Sequence, residues 1–449
     1  MKFFSKILLL IIISIIFTTS ANAAEQKSVS LIRDDETEDF LKSTSKSVFS
    51  AAGLEPDSIK IIVVNDPSIN AFVTGGQKLF IHTGLIIQSE KAAGLIGVIA
   101  HETGHIKGAH SIQKGENIKD AGIGSIAGYV LGLGTVLAGA PPEAGFAIGS
   151  AGQNIATRNF LAYSRDYENS ADGVAVNILN KVGISPLGLV DILRELLRKQ
   201  KISGDIVDEY MLTHPVSEER INFIMNYVKQ NPESDRPTPP DIEAKFKRVR
   251  AKIIGFLETP EKTNLIYQGQ TTDDAVYARS IAFHKQGKFD QSMELLNSLL
   301  AKYPQDRYYN ELKAQFLFER GDIESAVSQY RKVLNFAPNS ALVRLKLAEA
   351  MIATNTKANV EGAIGQLKAA LTIEPKNYAI VNKIGIAYGK LGDLGKSYLY
   401  LAESSIVIKN IINGRKYLAL AEQTMKKKPE DIIKLQELKK ELDRLKDKE

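Results

Sequence analysis

Three of the six histidines of this chain fall inside one stretch, "AHETGHIKGAH", residues 100–110. On a helix His101 and His105 stand at i and i+4, share a face, and can offer both imidazoles to one ion. Glu102 lies one residue on, beside that ion rather than on it, where a carboxylate can take a proton from bound water. That is the physical content of the H-E-x-x-H pattern. The competing reading is a chance pair of surface histidines. It is weakened by the apolar run "AAGLIGVIA" just before the motif, which would bury and fix the helix. A catalytic zinc needs a third protein ligand and an open position. The chain has no cysteine, so that ligand is a histidine or a carboxylate, and neither a disulfide nor a thiol nucleophile is available. The stretch "YENSADG" offers Glu168, with Asp172 four residues later on the same helical face.

The elements that must position these groups are legible around them. Residues 36–53 read as an amphipathic helix through Phe40, Leu41, Val48 and Phe49, and "IKIIVVN" (59–65) as a strand. "NAFVTGGQKLFIHTG" (70–84) reads as a hairpin turning at Gly75-Gly76. Ser89 is placed to cap a helix over 90–110, and a further helix runs over 163–183. The expected fold is therefore α+β, mostly helical with a small antiparallel sheet, over 24–225, an order of elements that resembles the zincin-type metallopeptidase domains. The prolines at 232, 237, 239 and 240 mark a linker over 226–242, and residues 226–270 as a whole read as a Pro-rich linker and a connecting helix.

Beyond residue 270 the chain repeats. Small residues recur at Ser280, Ala314, Ala348 and Gly385, in steps of 34, 34 and 37, and at Ser292, Ala326, Ala363 and Ser397, in steps of 34, 37 and 34. Pro304, Pro338 and Pro375 close three repeats, and Gly287, Gly321 and Gly392 fall in turns. A period of about 34 residues with two helices per unit is the tetratricopeptide (TPR) pattern. Four repeats are expected over 271–411, as an all-α solenoid, with capping helices over 412–449. The three additional residues in the steps of 37 are expected in the turn near "TNTKAN" (354–359).

The first 26 residues, "MKFFSKILLLIIISIIFTTSANAAEQ", carry a basic start, an apolar run and an Ala21-Asn22-Ala23 cleavage site. Residues 1–23 therefore read as a signal peptide, and the address as the periplasm. The formal charge of +5 falls to +3 without Lys2 and Lys6, too weak a bias for a nucleic-acid partner. Residues 121–152 hold nine glycines and one charge, Glu143, with Gly124, Gly128 and Gly132 spaced by four. They suit closely packed helices or a peripheral membrane contact better than a span.

H-E-x-x-H followed by E-x-x-x-D resembles the gluzincin metallopeptidases. "NAFVTGGQKLFIHTGLI" and "THPVSEERI" (213–221) are similar to that family's edge strand and its His-Pro…Arg segment. With an export signal and C-terminal TPRs, the chain resembles the periplasmic branch that attends outer-membrane β-barrel assembly. The resemblance implies one zinc per chain, bound by His101, His105 and Glu168, with Glu102 as general base. Asp172 would orient a ligand histidine. His214 would fill the fourth zinc position or stabilise the oxyanion; a plain turn histidine before Pro215 is the alternative. His110, His82 and His284 are expected to be structural, and Arg220 could tie down the His-Pro loop. The implied activity is endopeptidase cleavage of an extended chain added beside residues 70–82. The implied partners are misassembled outer-membrane proteins and the β-barrel assembly machinery. A chaperone or adaptor with a latent zinc site, working through the TPRs, is the rival from another class.

Overall fold

The computed structural model describes residues 30–74, 77–108, 154–203, 210, 214–425 and 428–446, with backbone alone over 154–164. The signal segment 1–23, His110 and the glycine-rich stretch 121–152 lie outside them. A short strand, β1 (Leu31–Ile32), leads into α1 (Asp35–Ala52). Asp34 caps α1 by accepting from the Thr37 N–H at 2.8 Å, and Gly53 ends it at φ 78°, a conformation glycine adopts without strain. The face carrying Phe40, Leu41, Val48 and Phe49 is buried, as the periodicity requires.

Strands β2 (Lys60–Val64), β3 (Ala71–Thr74) and β4 (Lys78–His82) complete a four-stranded sheet of order β1-β2-β4-β3. The β3–β4 hairpin is antiparallel, pairing Phe72 with Phe80. The sheet as a whole is mixed, which corrects the antiparallel expectation: β2 and β4 run parallel, with Val63 opposite Ile81. Residues 65–70 carry the chain past the sheet so that the hairpin returns with β4 inside and β3 at the edge. A hairpin signal specifies its own turn and says nothing about which strand the hairpin then joins.

Helix α2 (Thr83–Gln88) precedes the motif helix α3 (Ala92–Lys107). Ser89 does not cap α3; its hydroxyl donates to the Leu85 carbonyl at 2.8 Å. The Ala92 N–H is met instead by the Glu243 carboxylate at 3.0 Å. Every residue of α3 from Ala92 to His105 is buried, so the helix is apolar all round until the motif begins. It is gripped by α4 (Asn154–Val182) and α5 (Leu187–Ser203).

After α6 (Glu218–Gln230) comes helix α7 (Pro240–Leu257), within the segment expected to hold a linker and a connecting helix. Residues 226–230 belong to α6, and Pro240 is the first residue of α7, a position where its missing N–H costs nothing. Phe246, Val249 and Ile253 of α7 enter the core of the first half, with Phe246 6.0 Å from Phe40. Ala251 and Ile254 face the first repeat instead. One helix is thus common to both cores, and deleting residues 271–449 would uncover it.

The second half is an all-α solenoid. After α8 (Pro260–Ile266) come the pairs α9 (Asp273–Lys285) with α10 (Phe289–Lys302), and α11 (Arg307–Glu319) with α12 (Ile323–Phe336). Next are α13 (Ala341–Ala353) with α14 (Lys357–Ile373), and α15 (Tyr378–Lys390) with α16 (Leu394–Val407). A last pair, α17 (Ile411–Thr424) with α18 (Pro429–Lys446), closes the array. The small residues at 280, 314, 348 and 385 are all buried where paired helices touch. The three additional residues do not lengthen a turn. Helix α14 has 17 residues where α10, α12 and α16 have 14, so the insertion adds a helical turn before Ala363.

The halves meet through charge. The Glu36 carboxylate, 3% exposed, receives Arg248, the Tyr277 hydroxyl at 3.0 Å and Lys252 at 3.4 Å. Lys252 also pairs with Asp34, Arg248 with Asp306 at 2.6 Å, and Arg33 with Glu374 at 2.7 Å. Among the described residues no helix is long and apolar enough to cross a membrane.

Candidate metal centre

The spacing of His101 and His105 on α3 brings their Nε2 atoms to 3.1 Å of each other. Across from them α4 presents Glu168, whose Oε2 lies 3.2 Å from His101 Nε2 and whose Oε1 lies 3.3 Å from His105 Nε2. A tetrahedral zinc with bonds of about 2.0–2.1 Å needs ligand atoms about 3.3–3.4 Å apart. The two imidazole nitrogens and the Glu168 carboxylate that spans them are spaced close to what such an ion needs, and two imidazoles with a carboxylate are zinc ligands by chemistry. The residues therefore fit the ion.

Close approach of α3 and α4 depends on Gly104. A Cβ there would stand 2.8 Å from the Ala171 carbonyl oxygen and 2.9 Å from Ala171 Cα, and Ala171 adjoins Asp172. Gly104→Ala should push α4 away and lower metal affinity by at least tenfold, read by competition with a chromophoric chelator. Unchanged affinity would show that this contact does not set the site.

Behind the donors lies a chain of orienting bonds. Asp172 Oδ1 stands 2.8 Å from His101 Nδ1, which turns Nε2 of that ring toward the centre. Arg220 donates from Nε to Asp172 Oδ2 at 2.6 Å and from Nη2 to Oδ1 at 2.8 Å. Its Nη1 reaches Glu168 Oε2 at 2.9 Å and the Pro215 carbonyl at 3.1 Å. One guanidinium thereby ties α4 to the His-Pro segment. All these side chains are buried.

Electrostatics favours a cation here. Burial works against the charge of Glu168, but His214, His105 and Arg220 outweigh it and hold that carboxyl well below its usual range. Asp172 is likewise lowered, burial being overcome by Arg220 and His101. Burial draws His105 well below the ordinary histidine value. His101 goes the other way: burial opposes its charge, yet Asp172 and Glu168 raise it to about 9. Two carboxylates thus flank the His101 ring, and metal-binding imidazoles exchange protons for metal.

Glu102 and His214 complete the cluster. Ligand-capable atoms of His101, Glu102, His105 and His214 all lie within 4.8 Å of one another. His214 Nδ1 is 3.1 Å from Glu168 Oε1, and its Nε2 is 3.6 Å from Glu102 Oε1. Every site residue read from the sequence and its resemblance is thus brought to one place. Sequence reasoning missed Tyr210, whose ring stacks on His214 at 4.6 Å. A lone tyrosine with no spacing partner gives no signal. His82 lies apart, bonded to Ser68 at 2.8 Å, and His284 pairs with Glu319 while stacking on Phe316.

Residues 35–228 match the model of Peptidase family M48, and residues 274–306 that of Tetratricopeptide repeat. The beta-barrel assembly-enhancing protease of Escherichia coli (strain K12) is 24% identical over 334 residues, 72% of this chain and 67% of that protein. Its namesake in Yersinia pestis is 23% identical over 336 residues, again 72% and 67%. The mitochondrial metalloendopeptidase OMA1 of Saccharomyces cerevisiae is 32% identical over 181 residues, 38% of this chain and 48% of that protein. The match to M48 spans all of the clustered residues, from His101 to Arg220. The chain is a metallopeptidase with an M48 peptidase domain, followed by tetratricopeptide repeats.

Proposed function

We propose that this chain is a zinc endopeptidase of the periplasm, with one zinc per chain, that removes outer-membrane β-barrel proteins whose assembly has stalled. The observation that carries the reading is the convergence of His101 Nε2, His105 Nε2 and the Glu168 carboxylate beside Glu102. The relatives named for β-barrel assembly support the client class, and the leader-like residues 1–23 support the address. Zinc, when bound, supplies Lewis acidity that polarises a peptide carbonyl and acidifies water.

The chain's own groups do the rest. Glu102 accepts the proton of the attacking water and returns it to the departing amide nitrogen. Asp172 keeps the His101 ring turned, and Arg220 holds Asp172 and Glu168 together. The client adds as an extended segment along β3, the last strand of the sheet, so unfolded backbone is selected over folded domains. The repeats hold a second stretch of client or the assembly machinery, and residues 121–152 add peripheral membrane contact. The test is cleavage of an unfolded outer-membrane β-barrel by the purified chain. Cleavage should be lost after chelation and restored by zinc; activity indifferent to chelation would end the reading.

His214 belongs to this proposal as the residue that keeps the enzyme shut. It is 5% exposed and bonded to Glu168, in the place a fourth ligand or a client carbonyl would take. His214→Ala is expected to raise basal cleavage of casein at unchanged zinc content. A fall at unchanged zinc would instead assign His214 to transition-state stabilisation.

A further inference from the structure

The route from β2 to β3 crosses the end of β4. Val64 of β2 stands opposite His82 in the parallel pairing, and Ala71 of β3 stands opposite Ile81 in the antiparallel one. Residues 65–70 therefore pass over the point where β4 turns into α2, and they are fastened there. Thr83 Oγ1 donates to the Asp66 carbonyl at 2.9 Å, and the Gly84 N–H reaches the same oxygen at 2.8 Å. At Gly84 a Cβ would stand 2.2 Å from the carbonyl oxygens of both Pro67 and Ser68, so only glycine lets the two backbones meet. The Ser68 hydroxyl bonds His82 Nδ1 at 2.8 Å, and the His82 N–H donates to the Asn70 carbonyl at 2.9 Å. His82 is 4% exposed, and its ring meets Phe72 of β3 edge-on, with centroids 5.9 Å apart and planes at 82°.

The bond to Asn70 sets which backbone groups β3 turns outward. Hydrogen-bonded and non-bonded pairs alternate along an antiparallel ladder, so Asn70, Phe72 and Thr74 address β4, while Ala71 and Val73 turn their N–H and C=O groups away from it. Those outward groups are what an added strand pairs with. We infer that His82 is a positioning residue for the client: by holding Ser68 it fixes where the crossing ends and β3 begins, and so where Ala71 and Val73 present their backbone groups. This rests on the reading that clients add along β3. The partners of His82 lie on the crossing and on β3, so losing it should weaken client binding and leave the chemical step alone.

The test uses the full chain in its zinc form, with casein as substrate. Val73→Pro comes first, since proline removes an N–H that faces away from β4 and is tolerated in the last strand of a sheet. An unchanged KM would remove the reading of β3 and the inference with it. Given a raised KM, Ser68→Ala and His82→Leu should each raise KM by about two- to tenfold, the range that one hydrogen bond covers. Both should keep the wild-type kcat and zinc content. The double variant should match H82L alone, because the two side chains act through one contact. If leucine is not accommodated and H82L melts early, Ser68→Ala at its half-buried position carries the same expectation. A wild-type KM in S68A and H82L would overturn the inference while leaving the client at β3. So would a loss of kcat or zinc at unchanged KM, or effects of the two changes that multiply.

Discussion

Glu102→Gln is expected to lower cleavage by about 10²–10⁴-fold while the metal stays bound, the range a positioned general base contributes. Glutamine has the same shape and can hydrogen-bond, but it cannot take a proton from water. It should therefore leave the donors of the centre untouched. His101 Nε2 and His105 Nε2 stand 3.1 Å apart and face the two oxygens of Glu168, Oε2 at 3.2 Å and Oε1 at 3.3 Å, while Glu102 lies outside this set of contacts. On α3 it is one residue past His101, turned by about 100° around the helix. Changing His101, His105 or Glu168 to alanine should release the ion, because two remaining donors hold zinc weakly. Metal analysis after dialysis, run beside casein cleavage, separates the two classes. If E102Q loses zinc as readily as H101A, the proposed division between base and ligands is wrong.

The proximity of these groups is legible in the sequence because helical geometry translates spacing into direction. His101 and His105 needed only the i, i+4 rule, and the burial of α3 followed from the apolar run before them. Glu168 and Asp172 were visible as a pair on one face, but nothing local says that α4 lies opposite α3. That depends on Gly104 meeting Ala171, a contact 67 residues apart in the chain. The same distance in sequence explains the misplaced cap. Ser89 has the right chemistry and position, yet Glu243 arrives from 151 residues away to take the Ala92 N–H. Proline also carries two meanings. Pro240 looks like a linker residue in isolation, and its fixed φ serves equally to start α7. In the repeats, by contrast, each helix pair packs mainly on its sequence neighbours, so a period in the sequence is nearly a description of the fold.

Lys252→Met should destabilise the chain by about 3–5 kcal/mol, since removing one partner of a buried ion pair strands the other. Lys252 is 6% exposed and lies between Asp34 and Glu36 at the seam of the two halves. Burial would raise Asp34, but the Lys252 ammonium outweighs it and holds the carboxyl below its ordinary value. Glu311, on α11, faces the same ammonium. Burial pushes it up to about 8, Lys252 partly offsets that, and Asp35, Asp34 and Glu36 add to the rise. The signs fix the pH dependence. A carboxyl raised in the folded state stabilises fully below its unfolded value and loses that contribution as pH climbs through about 8. A lowered one, Asp34, contributes above its unfolded value and loses that contribution as pH falls. Without Lys252 the carboxylates have less to oppose their repulsion, so the deficit of K252M should be largest above neutrality and shrink in acid. Denaturant melts at pH 5 and pH 8 measure this, and adding Glu36→Gln should recover part of the loss at pH 8. Equal deficits at both pH values would mean that Lys252 acts through its packed stem and not its charge. The distinction bears on function, because α1 packs on the motif helix α3 while its first turn is held by the repeats. If charge holds this seam, whatever occupies the repeats can reach the peptidase through Asp34 and Glu36.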